Sequence, residues 1–321
     1  MRILFVVHRA YPYPGGSEIY VHKMACECSA RGHSTWVLTD VHQGDQDGIH
    51  ITDDREILSQ HWDAVIVHGG DCSTQDFIHG QKLKAPVMYM IILPSNSPAC
   101  TRGLENAKFL AWSTMADLEH ITKHGQQAKA VYVRHGVDIK SLDSMPVDEN
   151  FLLGGRRMVM SAGGFWSHKG FSELADTFNL LRPQNLVLCL YGYAQPEAAP
   201  AETTWVKTFY GQTNEQVLCA MYNSSFYILN SREEGFGLVL LEAMLLGTPW
   251  AARQVGGVTS EGMKNRGRIY NSREELVKII QELDMGTFKY PDTLLNIQYV
   301  QNERSIANTV DDIERAFGWR A

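Results

Sequence analysis

Apolar residues in this chain come in short unbroken runs rather than in strict alternation. One series comprises Arg2–Val7, Thr35–Leu38, Ala64–Val67, Val87–Ile92, Phe109–Trp112 and Ala130–Val133. A second comprises Met158–Ala162, Leu186–Tyr191, Val206–Tyr210, Phe226–Leu229 and the run T-P-W-A-A ending at Ala252. Continuous apolar runs predict strands buried on both faces, as in a parallel sheet covered by helices on either side. Helical spacing falls between the runs. It follows the loop Y-P-Y-P-G-G-S-E up to about Arg31, where Gly32 stops it, and recurs from Phe171 to Leu181 and beyond Ser272 in E-E-L-V-K-I-I-Q-E-L. Ser17 stands where a helix cap is expected. Each series opens as strand, glycine loop and helix, and the polar, irregular stretch from Asp138 to about Arg156 predicts a linker. The expectation is an α/β protein of two parallel-sheet domains, residues 1–148 and 149–303. At 321 residues and 44% hydrophobic content, the chain is long enough for two such cores.

A formal charge of −7 provides no overall basic surface, which argues against affinity built on nucleic-acid phosphates. No apolar run reaches the roughly eighteen residues of a membrane span, and M-R-I-L-F-V-V-H is short for a secretion signal, so a soluble cytoplasmic protein is expected. The six cysteines are scattered, and the close pair Cys26 and Cys28 would point to different faces of a helix. Neither a disulfide framework nor a zinc site is suggested, and no H-E-x-x-H spacing is present. D-Q-D at 45–47 has the letters of a metal-binding pair but lies in a polar loop away from any strand end, and reads as solvated surface. No metal and no cofactor are expected.

The densest chemistry lies in S-R-E-E-G-F-G-L-V-L-L-E-A-M-L-L-G-T-P-W-A-A, from Ser231 to Ala252. Gly235 and Gly237 let backbone approach a ligand, and the N-terminus of the following helix favours an anion such as a diphosphate. Glu234 and Glu242, acceptors when ionised, suit hydroxyl-rich groups on either side of it. An acidic first helical turn complementing the helix dipole would produce the same E-E-G. His68 directly follows an apolar run, at the carboxyl edge where parallel sheets bind ligands.

Glu234, seven intervening residues and Glu242, within E-G-F-G-L-x-L-L-E-A-M-x-x-G-x-P, resemble the signature of the family-4 retaining glycosyltransferases. The N-terminal run M-R-I-L-F-V-V, then P-G-G-S-E, then R-G-H-S-T-W-V-L-T, resembles the first domain of the same family independently. The resemblance implies the GT-B architecture, two Rossmann-like domains facing a cleft, with residues 304–321 forming a C-terminal helix that crosses back onto the first. It implies metal-independent transfer of a sugar from a UDP- or GDP-sugar donor to an acceptor hydroxyl, with retention of configuration. Under it Glu234 holds the donor sugar, Glu242 the ribose, Lys169 the diphosphate, and Gly235, Phe236, Gly237 and Leu238 offer backbone donors. Gly15 and Gly16 become donor-side cleft residues, Tyr210 and Gly211 meet the nucleobase, and His68 and Arg134 are possible cleft residues.

Two positions depart from the family. The arginine usually found five residues before the lysine is Gly164, with Arg134, Arg9 and Arg253 as candidate replacements. The histidine usually following the P-V-V-Y-like strand is absent from P-V-M-Y-M-I-I, which ends at Ile92. The polar loop after Ile92 is the candidate acceptor-recognition loop. Another GT-B enzyme, such as an epimerase, and a non-catalytic nucleotide-sugar or glycan-binding protein fit the same residues. The acceptor's identity is not encoded in any of them.

Overall fold

The computed structural model describes residues 1–41, 44–69, 78, 83–92, 97–139, 154–259 and 261–319. The chain divides into two compact units, Met1–Asp138 with Arg304–Ala321, and Ile139–Glu303. The boundary expected at 148/149 and most of the loop that follows Ile92 lie outside the described residues.

The first unit contains β1 (Arg2–Val6), α1 (Gly16–Ala30), β2 (Ser34–Leu38), β3 (His50–Thr52), β4 (Ala64–His68), β5 (Val87–Met90), α2 (Pro98–Asn106), β6 (Phe109–Trp112), α3 (Met115–Lys123) and β7 (Ala130–Tyr132). Its strands form one sheet in the order β3-β2-β1-β4-β5-β6-β7, every pair parallel. Ile3 to Val6 have no accessible surface, which explains why this strand carries no polar alternation.

The second unit contains β8 (Arg157–Gly163), α4 (Phe171–Leu181), β9 (Leu186–Gly192), β10 (Val206–Tyr210), α5 (Asn214–Tyr222), β11 (Phe226–Leu229), α6 (Leu238–Leu245), β12 (Trp250–Arg253), β13 (Arg268–Tyr270), α7 (Arg273–Asp284) and α8 (Thr293–Glu303). Its sheet runs β10-β9-β8-β11-β12-β13, again all parallel.

The last helix, α9 (Ile306–Phe317), belongs to the first unit. Val137 donates its N–H to the Arg304 carbonyl at 2.8 Å and accepts from Ile306 N–H at 2.9 Å. Arg31 on α1 reaches Asp311 at 2.7 Å and Glu314 at 2.8 Å on α9. A Cβ on Gly136 would overlap the Ser305 carbonyl, so glycine is needed where the first sheet's exit meets this helix.

Gly32 ends the α1 region with φ of +87°, as its glycine character predicts. Ser17 corrects the capping expectation. The helix starts at Gly16 with Gly15 as N-cap and no side-chain cap, so Ser17 sits inside the first turn and cannot cap from there. The three-residue edge strands β3 and β13 are not visible as apolar runs, because one row of neighbours demands little hydrophobic length.

Both sheets reverse direction of growth at one place, between β1 and β4 in the first and between β8 and β11 in the second. Loops leaving the two strands at such a reversal go to opposite faces and open a crevice at the carboxyl edge.

Candidate active site

Lys169 and Glu234 come from the two loops that leave this reversal in the second sheet. Strand β8 ends at Gly163, passes through Gly164, and makes a short turn at Ser167–Lys169 before α4. Strand β11 ends at Leu229 and runs through Asn230, Ser231 and Glu234 to α6. Lys169 Nζ lies 2.6 Å from Glu234 Oε1, and Ser231 Oγ donates to the same oxygen at 2.7 Å. With Oε1 doubly engaged, Oε2 is the oxygen left to accept hydroxyls. The loops are also joined through backbone, since Arg232 N–H donates to the His168 carbonyl at 2.7 Å.

Helix α6 begins at Gly237, whose φ of +83° is a left-handed conformation suited to glycine. No side chain caps this end and no acid stands in its first turn, so its first N–H groups and positive dipole end are not neutralised from within the helix. Phe236 is buried beside it and Leu238 is half-buried. Glu242 lies one turn further in, and burial pushes its carboxyl up to about 7, although part of the residue's surface stays accessible. The glycine pair Gly256 and Gly257 supports the turn from behind. Gly257 N–H donates to the Gly235 carbonyl at 2.8 Å, and a Cβ on Gly256 would overlap the Glu234 carbonyl. The sequence alone does not single out this pair as a site element.

Gly164 has a local reason. The Trp166 ring lies within 2.7–2.9 Å of where its Cβ would be, so the indole occupies the space of any side chain at 164. His168 stacks on Trp166 with centroids 5.7 Å apart, and its pKa is lowered by burial first and by Lys169 second.

The three arginines considered as replacements each have a partner. Arg253 donates to Glu173 at 2.6 Å and to Asn230 at 3.0 Å, and Arg9 stacks over Tyr13 while bonding its hydroxyl at 2.7 Å. Arg134 binds Asp312 through Nε at 2.7 Å and Nη2 at 2.8 Å, fastening α9 to the first sheet, which is a structural occupation rather than that of a free cation.

The remaining candidates are dispersed. Tyr210 is exposed and Gly211, with φ of +71°, follows it at the end of the edge strand β10, separated from β8 by β9. In the first unit, Gly15 lies under the Glu18 carboxyl and Gly16 faces open space, with neither at positive φ. His68 is interior, 2% exposed, against Tyr20 at 5.3 Å, and burial lowers its pKa to about 4.

The D-Q-D loop lies at the surface as expected, with Asp45 and Asp47 both exposed, and each carboxylate also bonds the protein. Asp45 accepts from Ile51 N–H at 3.0 Å, and Asp47 bonds the buried His22 at 2.8 Å. His22, Cys26 and Asp47 place ligand-type atoms within 4.8 Å of one another. Two ligands on one tetrahedral ion with bonds near 2.0 Å stay about 3.3 Å apart, so the shorter His–Asp contact is a hydrogen bond that fastens this loop to α1.

Residues 156–283 match the family described as Glycosyl transferases group 1. No curated protein sequence matches the chain. Among solved structures, Anabaena HepE in complex with UDP-glucose is similar at a TM-score of 0.76 and 18% identity over 100% of both chains. Sucrose-phosphate synthase from Thermosynechococcus elongatus is similar at 0.67 and 16% identity, over 99% of this chain and 95% of that one. WaaG, a glycosyltransferase involved in lipopolysaccharide biosynthesis, is similar at 0.66 and 17% identity, over 99% and 98%. The chain therefore has the GT-B fold, and the part of its second unit that holds Lys169, Glu234 and Glu242 is the part that matches the group 1 glycosyl transferase family.

Proposed function

We propose that this protein is a retaining glycosyltransferase that moves a hexose from a nucleoside diphosphate sugar to an acceptor hydroxyl without a metal ion or cofactor. The observation that carries this reading is the Lys169–Glu234 contact of 2.6 Å at the reversal of the second sheet, beside the uncapped end of α6. In this reading the donor diphosphate takes the α6 N–H groups of Gly237 and Leu238 and the Lys169 ammonium. Glu234 Oε2 accepts from the sugar hydroxyls, and Glu242 accepts from the ribose. As the bond from the anomeric carbon to the diphosphate oxygen breaks, negative charge grows on the leaving nucleotide, and fixed donors there stabilise it where it develops. The departing phosphate oxygen takes the acceptor's proton while the acceptor oxygen bonds the same face of the anomeric carbon, so configuration is retained. The two glutamates are hydroxyl ligands, not the acid and nucleophile of a glycosidase.

UDP-sugars are the first donors to test, since HepE was solved with UDP-glucose. The proposed compartment is the cytoplasm. No described helix is long and apolar enough to cross a membrane, and the five described cysteines form no disulfide with one another, which fits a reducing environment. Purified protein with UDP- or GDP-sugars and a broad acceptor panel should release nucleoside diphosphate in the presence of EDTA, the product should keep the donor's anomeric configuration by NMR, and Glu234→Ala should abolish release. Trp166 over Gly164 favours the second reading, a nucleotide-sugar binder without turnover. Donor binding with no release for any donor and acceptor would establish that reading instead.

A further inference from the structure

Asn230 has no accessible surface, yet both ends of its amide are bonded. Its Nδ2 donates to the Gly170 carbonyl at 2.8 Å. Its Oδ1 accepts from the Tyr270 hydroxyl at 2.7 Å and from Arg253 Nη2 at 3.0 Å. The same Arg253 nitrogen reaches Glu173 at 2.6 Å, and Glu173 also meets Arg232 at 3.4 Å. Gly170 has φ of +69°, and a Cβ there would overlap the Asn230 carbonyl, so the two backbones are as close as glycine permits.

The chain positions of these contacts give them their meaning. Gly170 is the residue after Lys169, and Asn230 precedes Ser231 and Glu234 on the other loop. A buried polar network of this kind carries a cost against apolar packing, here including an Arg253 Nε buried without a partner, and what it offers in return is a fixed geometry. We infer that Asn230, anchored by Arg253 and Glu173, is a positioning residue that sets the separation of Lys169 and Glu234. The inference rests on the proposed reading of these two residues as the donor-binding pair. Asn230 touches no substrate in it and acts only through the lysine loop. Without the amide, the Gly170 carbonyl keeps only the Leu174 N–H of its own helix, and the lysine loop retains a single backbone tie to the Glu234 loop, from Arg232 N–H to the His168 carbonyl; a displacement near 1 Å costs on the order of 100-fold in rate.

A double-mutant cycle tests this. Asn230→Ala should lower kcat about 100-fold and raise donor KM about tenfold, whereas in a Lys169→Ala background the same substitution should cost less than threefold more in either, because the residue through which it acts is gone. Equal losses in both backgrounds, or a kcat near that of the unmodified protein, would overturn the inference. If Asn230→Ala does not unfold cooperatively, Arg253→Lys in the same two backgrounds carries the comparison, while Glu173→Gln, whose amide oxygen still accepts from Arg253, should retain at least a third of the original kcat. Absence of any turnover by the unmodified protein counts against the proposed activity rather than this device. Nucleotide affinity by calorimetry, with UDP, GDP and ADP as probes, then decides. Asn230→Ala weakens binding about tenfold in the unmodified background and not in the Lys169→Ala background, and an unchanged affinity sinks the positioning role.

Discussion

The two sheets are built alike and reverse at equivalent places, but they treat their reversal differently. In the first unit the helix after β1 starts under its own acid. The Glu18 carboxyl lies over Gly15, its pKa raised by burial, while His68 at the end of β4 is sealed against Tyr20. In the second unit the helix after β11 starts at Gly237 with neither cap nor acid, and a lysine and a glutamate stand beside it. Topology offers a crevice in both places, and side chains decide which is furnished for an anion. Arginine is spent on structure in both units, Arg134 on Asp312 to hold α9 in the first and Arg253 on Glu173 and Asn230 in the second.

The sharpest way to break this comparison is to remove one cation from each unit. Arg134→Met leaves Asp312, a carboxylate with 3% side-chain exposure, without its bidentate partner, although Arg315 still reaches it at 2.7 Å. Losing one partner of a buried pair costs about 3–5 kcal/mol, so urea denaturation of the first unit should report a loss of that order with donor affinity unchanged within about twofold. Lys169→Met should do the converse, lowering kcat roughly 100- to 1,000-fold, the scale of losing one donor to developing charge. A large activity loss in Arg134→Met would erase the distinction.

Acid separates the units next. Burial holds His68 down to about 4, and burial together with His68 and Arg304 holds His135 down to about 3, so both are neutral when folded. The unfolded chain takes up their protons near pH 6.5, so their contribution is complete above that pH and is lost as pH falls below it. By pH 5 the loss is about 2 kcal/mol for His68 alone. Glu242 has the opposite sign. Its raised carboxyl favours the folded state below about 4.5, and that advantage is lost as pH rises through about 7. Hydrogen exchange from pH 8 to 5 should therefore show β4 and β7 losing protection while α6 does not.

Glu242 also sharpens the site itself. A ribose hydroxyl needs the carboxylate, so donor Kd should be about tenfold weaker at pH 6 than at pH 8, and Glu242→Gln should flatten the profile. A flat profile in the unmodified protein would remove Glu242 from the donor site.

Long buried runs made the sheets legible from sequence. Phe226–Leu229, Phe109–Trp112 and the helix Phe171–Leu181 occur with the expected limits, because burial on both faces leaves no ambiguity of period. The Glu234 turn was legible because glycine and carboxylate chemistry is local. What supports it was not. Asn230, Glu173 and Arg253 are ordinary letters in the chain, separated by as many as eighty positions, and acquire a joint role only when four strands bring them together. Ser17 shows the reverse failure, a residue with cap chemistry one position too far into its helix.

The smallest expected effect asks whether α9 is a working part of the first unit. Among the described residues three helices carry complete capping boxes, Thr114 with Asp117 on α3, Thr213 with Gln216 on α5 and Ser305 with Asn308 on α9, and the last two bear on this comparison. Thr213 is exposed, so in Thr213→Ala water replaces the lost bond and the cost should fall near 0.5 kcal/mol. Ser305 is buried and its Oγ both accepts from Asn308 N–H at 3.2 Å and donates to Asn308 Oδ1 at 2.7 Å. Ser305→Ala leaves those groups without water to replace the hydroxyl, so its cost should approach about 2 kcal/mol. Paired urea titrations with a fluorescent probe in each unit check the order, and the Ser305→Ala loss should appear in the first unit's transition. A Ser305→Ala cost no larger than that of Thr213→Ala would mean that α9 frays independently of the sheet it is bonded to.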